Sequence, residues 1–290
     1  MRQLDRIDIL SRKMLSGRMQ GERRSKKRGQ SVEFADYRNY VVGDDLRFID
    51  WNLYARLDKL FLRLFLEEED LSVSIVTDVT ASMNYGEPNK LHFAKQLAAA
   101  LGYTGLVHYN RVNLYTFTDA IHDQARGMRG RRPIPRMLEF LDKQQPPREG
   151  EKAGHLANAL RRVALTQREP GVVIVLSDFI DKGEIDDALR YLMDPKHDVY
   201  AVQLLSPQEV DPAKGQLMGD LRLRDVEDGD VAEVSISAPL VQRYKANLQA
   251  YCQHVRAACL RRQIAYMISE TDVSLESLVL KYLRQRGLVG

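Results

Sequence analysis

Long apolar runs, paired cysteines and a strong net charge are all missing from this 290-residue chain, and each absence narrows what it can be. No apolar stretch approaches the ~20 residues that cross a bilayer as a helix, so no membrane span is expected. The opening residues, MRQLDRIDIL, alternate charged and apolar positions and lack the apolar core of a secretory signal. The two cysteines, Cys252 and Cys259, lie seven positions apart in a segment of helical pattern. That spacing is about 10 Å along a helix axis, beyond the reach of a disulfide. A cytoplasmic, reducing location is therefore expected. Net charge is only +3, so the whole molecule does not bind nucleic acid through its overall field. None of the six histidines sits at zinc-ligand spacing from a cysteine or another histidine. Neither a Gly-x-Ser-x-Gly elbow nor a Gly-x-x-x-x-Gly-Lys-Ser/Thr loop occurs, which argues against an α/β serine hydrolase and a P-loop ATPase.

What is present is alternation. Apolar runs at 72–77, 111–117, 171–177, 198–204 and 264–268 predict strands, and amphipathic segments at 89–108, 132–143, 155–167, 184–193, 239–261 and 274–286 predict helices. Strand and helix in turn define an α/β class with a mostly parallel, doubly wound sheet covered on both faces. The strands are almost continuously apolar, as burial on both sides requires. Residues 206–237 interrupt the pattern with polar, strand-like sequence and the turn signal Asp228-Gly229, which predicts a hairpin insertion. Ahead of the first strand, residues 1–66 read as a small mixed α/β module: a short amphipathic helix over 4–19, a basic loop, then strands and loops rich in aromatics. The main domain then occupies 67–290.

Two of the strands end in aspartate. VSIVTDVTAS (73–82) delivers Asp78, followed by hydroxyls at Thr80 and Ser82, and VVIVLSDF (172–179) delivers Asp178. In a doubly wound sheet, ligands bind outside the carboxyl ends of strands where the winding reverses. If the two strands are neighbours there, two carboxylates and two hydroxyls face one crevice. Such an oxygen-only set suits a hard cation, Mg²⁺ first, with Mn²⁺ or Ca²⁺ as alternatives. The plainer account makes each aspartate an ordinary turn or capping residue.

The stretch VEFADYRNYVVGDDLRFIDWNLYARLDKLFLRLFLEEED (32–70), with KLHFAKQLAAALGY (90–103), VVIVLSDFID (172–181) and DVYAVQLLSP (198–207), resembles the bacterial family called domain of unknown function 58. The resemblance covers essentially the whole chain. It implies a three-layer α/β/α fold like that of von Willebrand factor A domains. It also implies a metal-ion-dependent adhesion site of pattern Asp-x-Ser-x-Ser with a distant Thr and Asp. Asp78, Thr80, Ser82 and Asp178 take four of these positions. Gly154 stands where the distant threonine is expected and supplies no side-chain oxygen, so a water would fill that position or the site would be weak. The family further implies a non-catalytic protein-binding module that partners a MoxR-type AAA+ ATPase and a client protein in chaperone-like maturation or remodelling.

Other clusters invite weighing. Asp44, Asp45, Arg47, Asp50 and Trp51, with Tyr54 and Arg56, form either a surface that clasps the partner or a structural knot. In the second case the acids cap turns, Trp51 fills a core and the arginines pair with acids such as Glu67–Asp70. Two arginine- and lysine-rich runs (23–28 and 126–136) lack the interleaved aromatics of a base-stacking platform, so nucleic acid is not the expected partner. The alternative class is a metal-dependent phosphohydrolase with Asp78 as nucleophile. There the proton-transferring acid two residues on is replaced by Thr80.

Overall fold

In a computed structural model of the chain, the described residues are 9–11, 33–66, 71–118, 121–147, 156–166, 169–180, 185–212, 219–224, 231–285 and 287–289. The chain divides into two compact units: Gln20–Asp70, and Met1–Met19 together with Leu71–Gly290.

In the smaller unit, β1 (Glu33–Asn39) and β2 (Phe61–Leu66) pair antiparallel. Between them lie a 3₁₀ turn, Leu46–Phe48, and a short helix, α1 (Trp51–Leu57). Asp45 caps the turn through the Arg47 amide, and Asp50 caps α1 by accepting from the amides of Asn52 and Leu53. No residue of α1 is buried, so the helix rests on its cap rather than on an apolar face. Its aromatic content suggested strand or loop; the Asp50 cap decides for helix.

The larger unit is built on a six-stranded sheet. Its strands in chain order are β3 (Ser72–Asp78), β4 (Arg111–Phe117), β5 (Ile121–Met128), β6 (Gly171–Ser177) and β7 (His197–Leu205), with β10 (Ala265–Glu270) last. Across the sheet the order is β10–β7–β6–β3–β4–β5, all parallel except β5, which runs against β4 at one edge. Every residue of β3, β6 and β7 is buried. The strand period of two sends side chains to alternate faces. Val73, Ile75, Val172 and Ile174 enter one core, under α2 (Lys90–Val107) and α3 (Ile134–Lys143). Val76, Tyr115, Val173 and Val175 enter the other, under α4 (Leu156–Thr166), α5 (Ile185–Arg190) and α7 (Ala238–Arg261). The result is the three-layer, von Willebrand factor A-like α/β/α architecture. Gly171 starts β6 hard against β3: a Cβ there would lie 2.0 Å from the Ser72 carbonyl oxygen.

The insertion opens with a helical turn, α6 (Pro207–Val210), and carries the hairpin β8 (Gly219–Arg224) with β9 (Val231–Ile236). Its expected Asp228-Gly229 turn lies outside the described residues. After β10, α8 (Leu275–Ser277) passes into a π-helical turn over Leu278–Leu283, where a single helix over 274–286 was expected.

Two expectations need correcting. Ile9 bridges Val289, the Leu10 amide donates to the Leu288 carbonyl at 2.8 Å, and Ser11 Oγ donates to Asp198 at 2.6 Å. These described residues of the 4–19 segment are therefore extended and attached to the larger unit by the C-terminal residues, not helical within a 1–66 module. Strand β5 was also missed. Only Ala125 and Met128 of it are buried, and two register shifts break its pairing, so it shows no apolar period.

Candidate functional site

The winding reverses between β3 and β6: the chain leaves β3 toward β4 and β5, then returns to place β6 and β7 on the other side. Asp78 closes β3 and Asp178 follows β6, and both are buried, at 4% and 1% exposure. Asp78 Oδ1 accepts from the Thr80 amide at 2.9 Å and from Thr80 Oγ1 at 2.7 Å. Thr80 Oγ1 lies 3.0 Å from Ser82 Oγ. The other Asp78 oxygen accepts from Ser177 Oγ at 2.6 Å. The same Ser177 hydroxyl accepts from the Phe179 amide at 2.9 Å, tying the two strand ends together.

The turn that presents Asp178 is held under strain. Phe179 has φ +56°, a left-handed conformation that a bulky side chain adopts at a cost of order 1–3 kcal/mol. Ser177 on one side and the Tyr251 hydroxyl, which donates to the Phe179 carbonyl at 2.5 Å, hold it there. The Asp178 carbonyl accepts from Gln203 at 2.7 Å, and its Oδ1 accepts from the Ile180 amide at 3.0 Å.

The remaining Asp178 oxygen meets a group the sequence did not single out. Lys90 Nζ lies 2.8 Å from Asp178 Oδ2 and 2.5 Å from Glu209 Oε1, and the Lys90 side chain is wholly buried. Burial alone would depress the Lys90 pKa; Asp178 and Glu209 reverse that and raise it above the ordinary lysine value. At Asp78, burial and then the Asp178 charge push the pKa up to about 7, against the opposing bonds from Ser177 and Thr80. Two signals pointed to these missed groups. Lys90 begins a helix, where the dipole disfavours a cation, and Ser206 with Glu209 spells a capping box, both of whose bonds form.

Donor chemistry tests whether the crevice suits a cation. Ligands about 2.1 Å from an octahedral ion lie about 3 Å apart. The 2.7 and 3.0 Å spacings among Asp78, Thr80 and Ser82 are compatible with that and are equally those of the hydrogen bonds joining them. Among the described residues no group of three or more His, Cys, Asp or Glu could hold a metal, so such a site rests on hydroxyls as much as carboxylates. Gly154 lies outside the described residues.

In the smaller unit, the Asp44–Trp51 block is stitched together locally. Asp44 accepts from Arg38 and the Val41 amide, Asp45 pairs with Arg47 at 2.6 Å, and Arg63 and Tyr37 both donate to Asp50. Those bonds, Arg63 first, hold the Asp50 carboxyl down at about 2. Trp51 fills no core: it is 59% exposed, amid exposed Leu46, Phe48, Tyr54 and Leu57. Arg126, Arg129, Arg131, Arg132 and Arg136 are exposed, and the first basic run lies outside the described residues.

An Asp-x-Thr-x-Ser loop with Asp78 and Thr80 buried, at the switch point of a three-layer α/β/α sheet, goes with the class of the fold: a von Willebrand factor A-like domain. A family profile described as protein of unknown function DUF58 matches residues 36–255, and the chain belongs to that family. It is 27% identical over 236 residues to uncharacterized proteins of Mycobacterium tuberculosis and Mycobacterium bovis, covering 81% of this chain and 73% of theirs. Among solved structures it is similar to an aerotolerance-related membrane protein from Bacteroides fragilis (15% identity, 75% of this chain and 98% of that one, TM-score 0.44). It is also similar to the SpRpn10 VWA domain (11% identity, 73% and 94%, TM-score 0.39).

The cytoplasmic location expected from the sequence does not stand. A membrane protein is among the similar structures, and neither the fold nor the lack of an apolar span assigns a compartment. Among the described residues no helix is long and apolar enough to cross a membrane.

Proposed function

We propose that this chain is a non-catalytic protein-binding module whose crevice at the β3–β6 switch point receives an acidic group from a partner. The observation that carries it is the convergence of buried Asp78 and Thr80 with half-buried Ser82 in one oxygen cluster beside Asp178. Asp78, Thr80 and Ser82 are the residues to hold a divalent cation, Mg²⁺ first. Bound there, such an ion supplies an electrophilic centre for a partner's carboxylate. Ser177 fixes the Asp78 carboxylate, and the Phe179 turn fixes Asp178. Thr80 stands where a hydrolase of this plan would place its second acid, which favours binding over turnover. The partner we propose is the one that the sequence resemblance implies: a MoxR-type AAA+ ATPase, with the chain as adaptor in maturation or remodelling of a client protein.

The test is recovery of the tagged chain from native lysate in Mg²⁺ and in EDTA, with Asp78→Ala alongside. An AAA+ ATPase retained only with Mg²⁺ and intact Asp78 supports the proposal. Retention regardless of both would move the contact away from the crevice. Phosphomonoester turnover lost in Asp78→Asn would replace the binding role with an enzymatic one.

A further inference from the structure

The oxygens of the crevice are not all free to meet an ion. Asp78, Thr80 and Ser82 bond mainly among themselves, but Asp178 is bonded to a cation that the chain carries itself. Lys90 is 0% exposed, and its ammonium sits between Asp178 and Glu209. An ammonium removed from water is tolerated only where carboxylates replace its hydration, and here two do so.

Each partner of that ammonium is fixed from behind. Asn89 caps the helix that Lys90 begins, accepting from the His92 amide at 3.0 Å. Glu209 uses its second oxygen on the Ser206 amide at 2.7 Å and the Ser206 hydroxyl at 3.0 Å. The loop leading to Lys90 is clasped to the same turn. The Glu87 amide donates to Gln208 at 3.1 Å, and Gln208 donates back to the Glu87 carbonyl at 2.8 Å. Gly86, at φ +88°, passes so close that a Cβ would lie 2.2 Å from Ser206 Cβ. The Thr271 hydroxyl adds a bond to the Pro88 carbonyl at 2.7 Å. Lys90 is therefore built in, not a loose side chain that an arriving ion sweeps aside.

We infer that Lys90 is the resident cation of the crevice and competes with a divalent ion for Asp178. The inference rests on the proposed role of the Asp78 loop as a cation site. An ion held by Asp78, Thr80 and Ser82 must share the second carboxylate with an ammonium already seated there, and like charges in a poorly hydrated site repel strongly. Divalent affinity is thus set low by Lys90.

The probe is Mn²⁺ alone, with free ion counted by electron paramagnetic resonance and checked by the thermal shift it induces. Lys90→Met removes the charge at similar volume. The double variant Lys90→Met/Glu209→Gln also removes the carboxylate left unpaired, so a fold too weak in the single variant is still tested. Mn²⁺ should bind at least tenfold more tightly to these variants than to the wild type, and adding Asp178→Asn should erase the gain. Affinity unchanged or weakened in both variants overturns the competition. If wild-type binding is then still lost in Asp78→Ala, the loop stands as a cation site without it. Failure of Mn²⁺ to bind any of the chains overturns both.

Discussion

Asp50 and Asp78 are the same residue in opposite surroundings. Asp50 opens a helix in the smaller unit, takes two backbone amides, an arginine and a tyrosine, and is held at about 2. Asp78 closes a strand in the larger unit, buried beside a second carboxylate, and is pushed up to about 7. The first arrangement spends its carboxylate on holding the local backbone. The second keeps a carboxylate where ionisation is costly, which a fold sustains when a cation or partner is to meet it. The convergence of Asp78 with Thr80 and Ser82 is why the crevice, and not the Asp44–Trp51 block, carries the proposed binding site.

The largest expected effect comes from removing the compensating charge of the crevice. Lys90→Met leaves Asp178 and Glu209 buried without their cation and should lower unfolding free energy by about 3–5 kcal/mol. Denaturant titration checks this, and Glu209→Gln in the same chain should recover part of the loss. Ser177→Ala comes next. It removes both the donor to Asp78 and the acceptor that holds Phe179 left-handed, for about 1–3 kcal/mol by the same titration.

The two aspartates should also respond to pH with opposite sign. Folded Asp78 keeps its proton between about 3.8 and about 7, where the unfolded chain has released it. Its contribution to stability is thus greatest below that window and declines as pH rises through it. Folded Asp50 stays ionised down to about 2, so its contribution is present above about 3.8 and is lost as pH falls toward 2. Stability–pH curves of Asp78→Asn and Asp50→Asn, each subtracted from wild type, should slope in opposite directions. Curves of the same sign would dissolve the comparison. The smallest effect belongs to Trp51→Ala: at 59% exposure it should change stability by no more than about 0.5 kcal/mol.

Much of this architecture was legible because burial on both faces writes itself as unbroken apolar runs. The runs expected at 111–117 and 171–177 coincide with β4 and β6. What escaped were elements held by something other than an apolar period: β5 at the sheet edge and α1 on its cap. Asp78 and Asp178 stood out because each ends such a run. Lys90 did not, because its partners lie 88 and 119 residues away and only the folded sheet brings them together. Trp51 misled for the converse reason: an aromatic beside arginines resembles a core residue, yet the local pairs leave it at the surface.

The measurement that bears most directly on the central claim is the affinity of a purified MoxR-type ATPase for wild-type chain, Asp78→Ala and Trp51→Ala under identical conditions. The account predicts that Asp78→Ala weakens binding at least tenfold while remaining folded, with Trp51→Ala close to wild type. Equal affinity for wild type and Asp78→Ala, with the loss falling on Trp51→Ala, would contradict it and move the binding site to the smaller unit.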